Sequence, residues 1–222
     1  EEAVFRDPSL MDAHRVHGAV LETLGLYRAA IEEYNKAAEI TPNLTFLYIY
    51  IGLNYRRLEV YDRALEFFDR AANINKQNEV EDPLPYIAIA KTYAQQGEFF
   101  IAARNAETAV EIDPYNANTY GQLGIIYVKS RNYEGALPVL KCAVYGCEAP
   151  DNEVGAVAVT GLPLTSIEVA YYYLQYGSVL AALNQCAEAA PVLVQVETSF
   201  GSDPVITKII AENRAICASF EK

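Results

Sequence analysis

The residues able to do chemistry are few and grouped. Two histidines, His14 and His17, stand three apart, and four cysteines, Cys142, Cys147, Cys186 and Cys217, all lie in the C-terminal half. Imidazoles three apart on a helix share one face, a geometry that holds a divalent metal when a third ligand is supplied. His14, however, stands in a slot that Tyr48, Tyr86, Tyr120 and Tyr173 fill later in the chain, and His17 in one filled by Ile51, Ile89 and Leu123. Those are packing slots, with no cysteine or acid reserved nearby, so both histidines read as packing residues and no metal is expected. With no third histidine, imidazole acid–base catalysis has no place. No phosphate-cradling glycine loop, nucleophile elbow or metalloprotease motif is present. Acidic pairs such as Glu32 and Glu33 fall on an outer helix face and read as solvated. The chain is expected to be no enzyme and to need no cofactor.

Four cysteines allow three pairings. Cys142 lies late on an expected helix and Cys147 just past its end. Cys186 opens another helix, and Cys217 nears the end of a final helix that should run antiparallel to it. Pairing Cys142 with Cys147 and Cys186 with Cys217 therefore fits the reach of a disulfide. Paired, they imply an oxidising, extracytoplasmic compartment. The alternative is four free thiols packed as small hydrophobes in a cytoplasmic protein. Zinc is disfavoured, because the spacing of Cys142 and Cys147 is wide and no histidine is near.

The elements that carry these residues repeat. Gly18 and Gly52, Ala30 and Ala64, Tyr34 and Phe68, and Ala37 and Ala71 are each 34 residues apart. Such a period marks a helical repeat array. Full units are expected at 11–44, 45–78, 83–116, 117–150 and 170–203, with four extra residues, Glu79 to Asp82, before the third. Residues 1–10 match the tail of a preceding unit, since Ala3 to Pro8 resembles Ala37 to Pro42, and the chain is expected to be cut from a longer one. Residues 151–169 are an insertion, and Asp203-Pro204 starts a cap helix over 204–220. A helix is also expected to start near Ser166, from a capping-box pattern of Thr165 and Glu168. Within the insertion, Asp151 to Leu164 reads as an enlarged loop on one side, or else as a lid or docking edge.

An aromatic, a small residue, a tyrosine, and alanines flanking a second aromatic, closed by proline, resemble the tetratricopeptide repeat (TPR). The resemblance covers the chain outside Asp151 to Leu164. The segments at Cys142 to Cys147 and Gly161 to Leu164 are also similar to TPR regions of larger bacterial proteins. Departures are local: Ala90 replaces the usual glycine, Ala106 the usual large residue, and Cys186 an aromatic. The resemblance implies an all-α, right-handed superhelix of antiparallel helix pairs, an α-solenoid, whose first helices line a concave groove. Carried onto this sequence, the groove slots hold Arg15, Ala19, Phe46, Ile49, Tyr50, Leu53, Arg57, Leu84, Ile87, Lys91 and Gln95. They continue with Asn118, Gln122, Ile125, Lys129, Tyr171, Leu174, Gln175 and Ser178. An apolar and aromatic surface with a few basic groups suits a protein or peptide partner.

The family's clamp for a chaperone's C-terminal carboxylate needs two lysines, two asparagines and an arginine. Its slots here hold Arg15, Ala19, Tyr50, Leu84 and Ala88, or one unit later Ile49, Leu53, Ala88, Asn118 and Gln122, and neither set keeps the clamp. A formal charge of −12 also disfavours nucleic acid or an anionic membrane surface as partner. No run approaches the roughly 20 apolar residues that span a bilayer. The expected function is a protein-interaction scaffold that binds a peptide or partner protein in the groove. The alternatives are a self-assembly or intramolecular docking unit, or a regulatory appendage of an enzyme.

Overall fold

The computed structural model describes residues 8–148 and 158–220. Eleven helices are present among them: α1 (Pro8–Thr23), α2 (Tyr27–Ile40), α3 (Thr45–Arg57), α4 (Tyr61–Gln77), α5 (Leu84–Gln96), α6 (Phe99–Ile112), α7 (Ala117–Lys129), α8 (Tyr133–Tyr145), α9 (Ile167–Ala182), α10 (Cys186–Phe200) and α11 (Pro204–Phe220). The chain divides between Gln96 and Gly97 into two compact units. The division separates α5 from α6, the two helices of the third sequence repeat.

In the first unit α1 packs on α2 and α3 on α4, and α5 packs on α4. The helices close because a glycine on one meets a large side chain 16 residues later on its partner. A Cβ at Gly18 would lie 2.9 Å from the Tyr34 ring, and one at Gly52 would lie 2.5 Å from the Phe68 ring. Tyr34, Leu47, Ile51 and Phe68 form the buried centre of this unit.

The second unit repeats the device with Gly124 against Leu140 and Gly177 against Leu193. Here α7 pairs with α8 and α9 with α10, while α11 lies on both α9 and α10. Tyr172, Leu174, Leu180, Leu193 and Ile206 are buried at its centre.

The turn inside four of the pairs has one construction. Gly25, Glu59, Arg131 and Asn184 all take positive φ, between 59° and 74°. The N–H after each reaches back to a carbonyl five residues earlier: Leu26 to Leu21, Val60 to Tyr55, Asn132 to Tyr127 and Gln185 to Leu180. This interlock satisfies carbonyls at the end of the first helix and starts the second at once. The end of α4 uses the same interlock, with Glu79 at positive φ and the Val80 N–H on the Asn75 carbonyl, and side chains cap several helix starts. Asp82 accepts from the N–H of Leu84, Asn116 from that of Asn118, and Asp203 from those of Val205 and Ile206. At α9 the cap is Ser166, which accepts from the N–H of Val169, so Thr165 is not the capping residue. The hydroxyl of Thr165 is turned back onto the carbonyl of Pro163.

Residues 151–157 of the insertion lie outside the described residues. The part from Ala158 onward returns along the end of α8. Val159 and Cys147 exchange both backbone hydrogen bonds, and the N–H of Leu162 reaches the carbonyl of Ala143. Gly161 sits where a Cβ would fall 2.6 Å from the Tyr145 and Gly146 backbone, so only glycine allows that approach. Tyr173 fixes the return by donating its hydroxyl to the carbonyls of Val144 and Leu162. Tyr48 and Tyr120 stand in the same repeat slot and make the matching bond to Pro42 and Pro114.

Disulfides join Cys142 to Cys147 and Cys186 to Cys217, with Cα separations of 4.8 and 5.6 Å.

Candidate partner-binding site

In the first unit, α1, α2 and α3 enclose an open cleft of about 350 Å³ lined by Arg15, Ala19, Glu22, Thr23, Tyr27, Tyr34, Tyr50 and Arg57. Tyr50 is its wall. Its ring lies 5.2 Å from that of Tyr34 and 5.9 Å, edge to face, from that of Phe46. Glu22 is the one carboxylate in the lining, and it is occupied. It accepts from the Tyr34 hydroxyl at 3.1 Å and from the Asn54 amide at 3.3 Å. Burial, with the Glu22 charge beside it, pushes the Tyr34 hydroxyl far above the usual phenol range, so Tyr34 is a fixed donor.

The predicted groove residues of this unit differ in availability. Phe46, Arg57, Leu84 and Gln95 are exposed, and Arg15, Tyr50, Leu53 and Lys91 are partly so. Ile49 and Ile87 are buried and serve the helix packing.

In the second unit, α7 and α9 are joined by a polar network. The Gln122 amide donates to the Tyr172 hydroxyl and to Glu168, and the Tyr172 hydroxyl donates to Asn118. Tyr172 is fully buried against Gly121, where a Cβ would meet its ring at 2.7 Å. Burial, reinforced by the Glu168 charge, raises its pKa well above the phenol range. Ile125, Tyr171 and Gln175 are partly exposed, and Lys129 is exposed. Leu174 offers nothing to a partner: it is completely buried, because α9 is packed against α7, α8, α10 and α11 together. Ser178 is held by Asn213 of α11 at 2.7 Å.

A family model for the tetratricopeptide repeat matches residues 16–44. Solved structures with the same fold include TTC0263 of Thermus thermophilus, 15% identical, TM-score 0.63, covering 92% of this chain and 99% of that one. PilF of Pseudomonas aeruginosa is 18% identical with a TM-score of 0.64, covering 93% of this chain and 83% of that one. The first repeat thus matches the tetratricopeptide-repeat model, and the chain has the fold of tetratricopeptide-repeat structures. It also resembles YrrB, a TPR protein with an unusual peptide-binding site, at 20% identity and TM-score 0.57 over 82% of each chain. Among proteins compared by sequence, the BBSome complex member BBS4 of Bos taurus is 29% identical over 112 residues. The match takes in 50% of this chain but spans about a fifth of that relative, 21% of its length.

One site in this helical array escaped sequence reasoning. Glu33 is buried beneath α1, not solvated. Its Oε2 lies 2.7 Å from His14 Nδ1 and 3.3 Å from His17 Nδ1, and its Oε1 accepts from Lys36 at 2.7 Å. Glu32 beside it is exposed. His14 thus fills an aromatic slot by bonding across to α2. The bond from Lys36, then that from His14, holds the Glu33 carboxyl down at about 2, against the opposing effect of burial. With an ammonium on one oxygen and imidazoles on the other, the carboxylate is saturated. No group of three His, Cys, Asp or Glu among the described residues is placed to hold a metal ion.

A depressed carboxyl pKa stabilises the fold above the unfolded value near 4.5, and that stability drains away as pH falls toward 2. Glu33→Gln is therefore expected to cost about 1–2 kcal/mol at pH 7, allowing for the exposure of Lys36 and His17. The gap between wild type and variant should close between pH 4.5 and 2. Urea unfolding at pH 7, 4 and 3 measures it, and a gap that stays constant would show that the carboxylate charge contributes nothing.

Proposed function

We propose that this chain is a protein-interaction module and that the first helices of its N-terminal unit take a peptide segment of a partner protein. TPR folds are in general protein-interaction scaffolds and not enzymes. The observation that carries the finer reading is the open aromatic wall formed by Tyr50 and Phe46. Leu84 on α5 stands 54% exposed and Phe46 36%, with basic groups at hand. Large apolar side chains left open beside a cleft are what an anchoring side chain requires. The missing clamp residues argue against a chaperone's C-terminal carboxylate, and the net charge of −12 argues against nucleic acid. The two disulfides support residence in an oxidising compartment.

The test is capture of partners from a lysate of the source cells on wild type and on Tyr50→Ala, with helix content checked by circular dichroism. A partner held by wild type and weakened at least tenfold by the variant supports the groove. Equal capture by both moves the interaction elsewhere.

A second reading rests on α1. Leu10, Val16 and Val20 are each at least half exposed along it, with exposed Leu24 just past its end, a stripe suited to another helix. If α1 mediates self-assembly, sedimentation will show a size that rises with concentration and falls back on Val20→Glu.

A further inference from the structure

Charge is distributed unevenly over the helices of the first unit. The protein has 29 acidic residues against 17 basic ones, yet α3 and α5 contain no carboxylate at all. They carry Arg56, Arg57 and Lys91 instead. The neighbouring α4 carries Asp62, Glu66 and Asp69, and α2 carries Glu32, Glu33 and Glu39. Of the groove helices of this unit, α3 and α5 are thus basic, while α1 carries Asp12 and Glu22 beside Arg15.

Two of those cations stand side by side without a carboxylate. Arg56 is part-buried and reaches only the backbone carbonyl of Ala88, at 3.4 Å. Burial, and next the charge of Arg57, lower its pKa. Arg57 lines the cleft, is exposed, and makes no hydrogen bond or ion pair among the described residues. Arg15 across the cleft is matched by Asp12, at 2.9 Å, and Glu22 is engaged by Tyr34 and Asn54. The charge left open at the mouth is that of Arg57. Neighbouring guanidiniums repel, and a bound carboxylate relieves that repulsion while gaining a charge-assisted contact.

We infer that the segment taken by this face is acidic, with an Asp or Glu side chain on Arg57 and an adjoining aromatic or aliphatic side chain on Tyr50 and Phe46. The inference rests on the groove reading and adds the chemistry of its ligand. With α3 and α5 free of carboxylates, the side chain that meets Arg57 finds no competing acid on those two helices, and Tyr50 and Phe46 lie on α3 with it.

The experiment is selection of random 12-residue peptides on the whole chain at low salt, each fused through its C-terminus so that none offers a free terminal carboxylate. The selected peptides are expected to be rich in Asp and Glu beside Leu, Phe or Tyr. A synthetic copy, acetylated and amidated, should lose at least tenfold in affinity on Glu→Gln within it. It should lose as much on Arg57→Glu in the protein, with the urea midpoint of that variant unchanged. Peptides without acid excess that still lose binding on Tyr50→Ala would overturn the acidic ligand and leave the groove standing. Enrichment of no peptide would overturn both. Binding only by a copy with a free C-terminal carboxylate would overturn the side-chain assignment in favour of a terminus.

Discussion

Phe68→Ala is expected to lower the stability of the first unit by about 3–5 kcal/mol, the usual loss when a buried phenylalanine is truncated. Phe68 is fully buried, and its ring lies over Gly52 with no room for another carbon. Gly52→Ala alone should also destabilise, by about 1–3 kcal/mol, because its Cβ would overlap that ring. The double variant should cost less than the sum by at least about 1 kcal/mol, since the new methyl enters space that the ring has vacated. The third sequence repeat already holds this combination, with Ala90 and Ala106 16 residues apart, as Gly52 and Phe68 are. Urea unfolding of the four proteins, followed by helical circular dichroism, completes the cycle. Strict additivity would mean that the ring and the glycine do not depend on each other. The reason for a glycine opposite a large residue in the other pairs would then fail too.

These pairs also explain what could be read in advance. Gly18, Gly52, Gly124 and Gly177 recur because close packing of two helices needs the same small residue at the same place each time. A physical constraint that returns in successive helix pairs leaves a mark that returns as well. The helix start at Asp203 was legible for a similar reason, as few side chains reach the free N–H groups of a first turn.

The left-handed backbone of the turns was not legible. Glu59 and Arg131 adopt a left-handed backbone that neither residue favours, imposed by the interlocking bonds of the turn, whereas Gly25, Gly97 and Asn184 are residue types suited to it.

The site was legible in part. Arg15, Phe46, Tyr50 and Arg57 were named from the family's geometry, and the structure brings Arg15, Tyr50 and Arg57 around one cleft. Leu174 was misjudged because the slots of α9 were read without α11, whose packing leaves less of that helix open. Glu33 was missed because an acid beside another acid looks solvated. The overlooked signal was His14 itself: an imidazole in a slot meant for an aromatic ring brings a polar nitrogen into the interface, and that nitrogen needs a partner. Tyr172 escaped notice among four neighbouring tyrosines. Gly121, which is outside the repeating small-residue slots, was the mark that a ring from another helix lies there.

Loss of the Cys186–Cys217 bond is expected to cost about 4 kcal/mol, and loss of Cys142–Cys147 about half of that. The difference follows from the length of chain each bond closes: 31 residues in the first case and 5 in the second. A longer closed loop removes more freedom from the unfolded chain. The larger effect also falls where packing is most exposed to loss. The longer bond ties the start of α10 to the far end of α11, and α11 buries Ile206 and Ile210 against the core of its unit. Freed at that end, α11 should fray first, and hydrogen exchange in residues 210–220 should rise before that of α9. Paired serine variants at each bridge, compared by thermal midpoint and exchange, separate the two contributions. If reductant leaves the midpoint of the wild type unchanged, the bonds add nothing to the fold. The main ground for placing this chain in an oxidising compartment would then be gone.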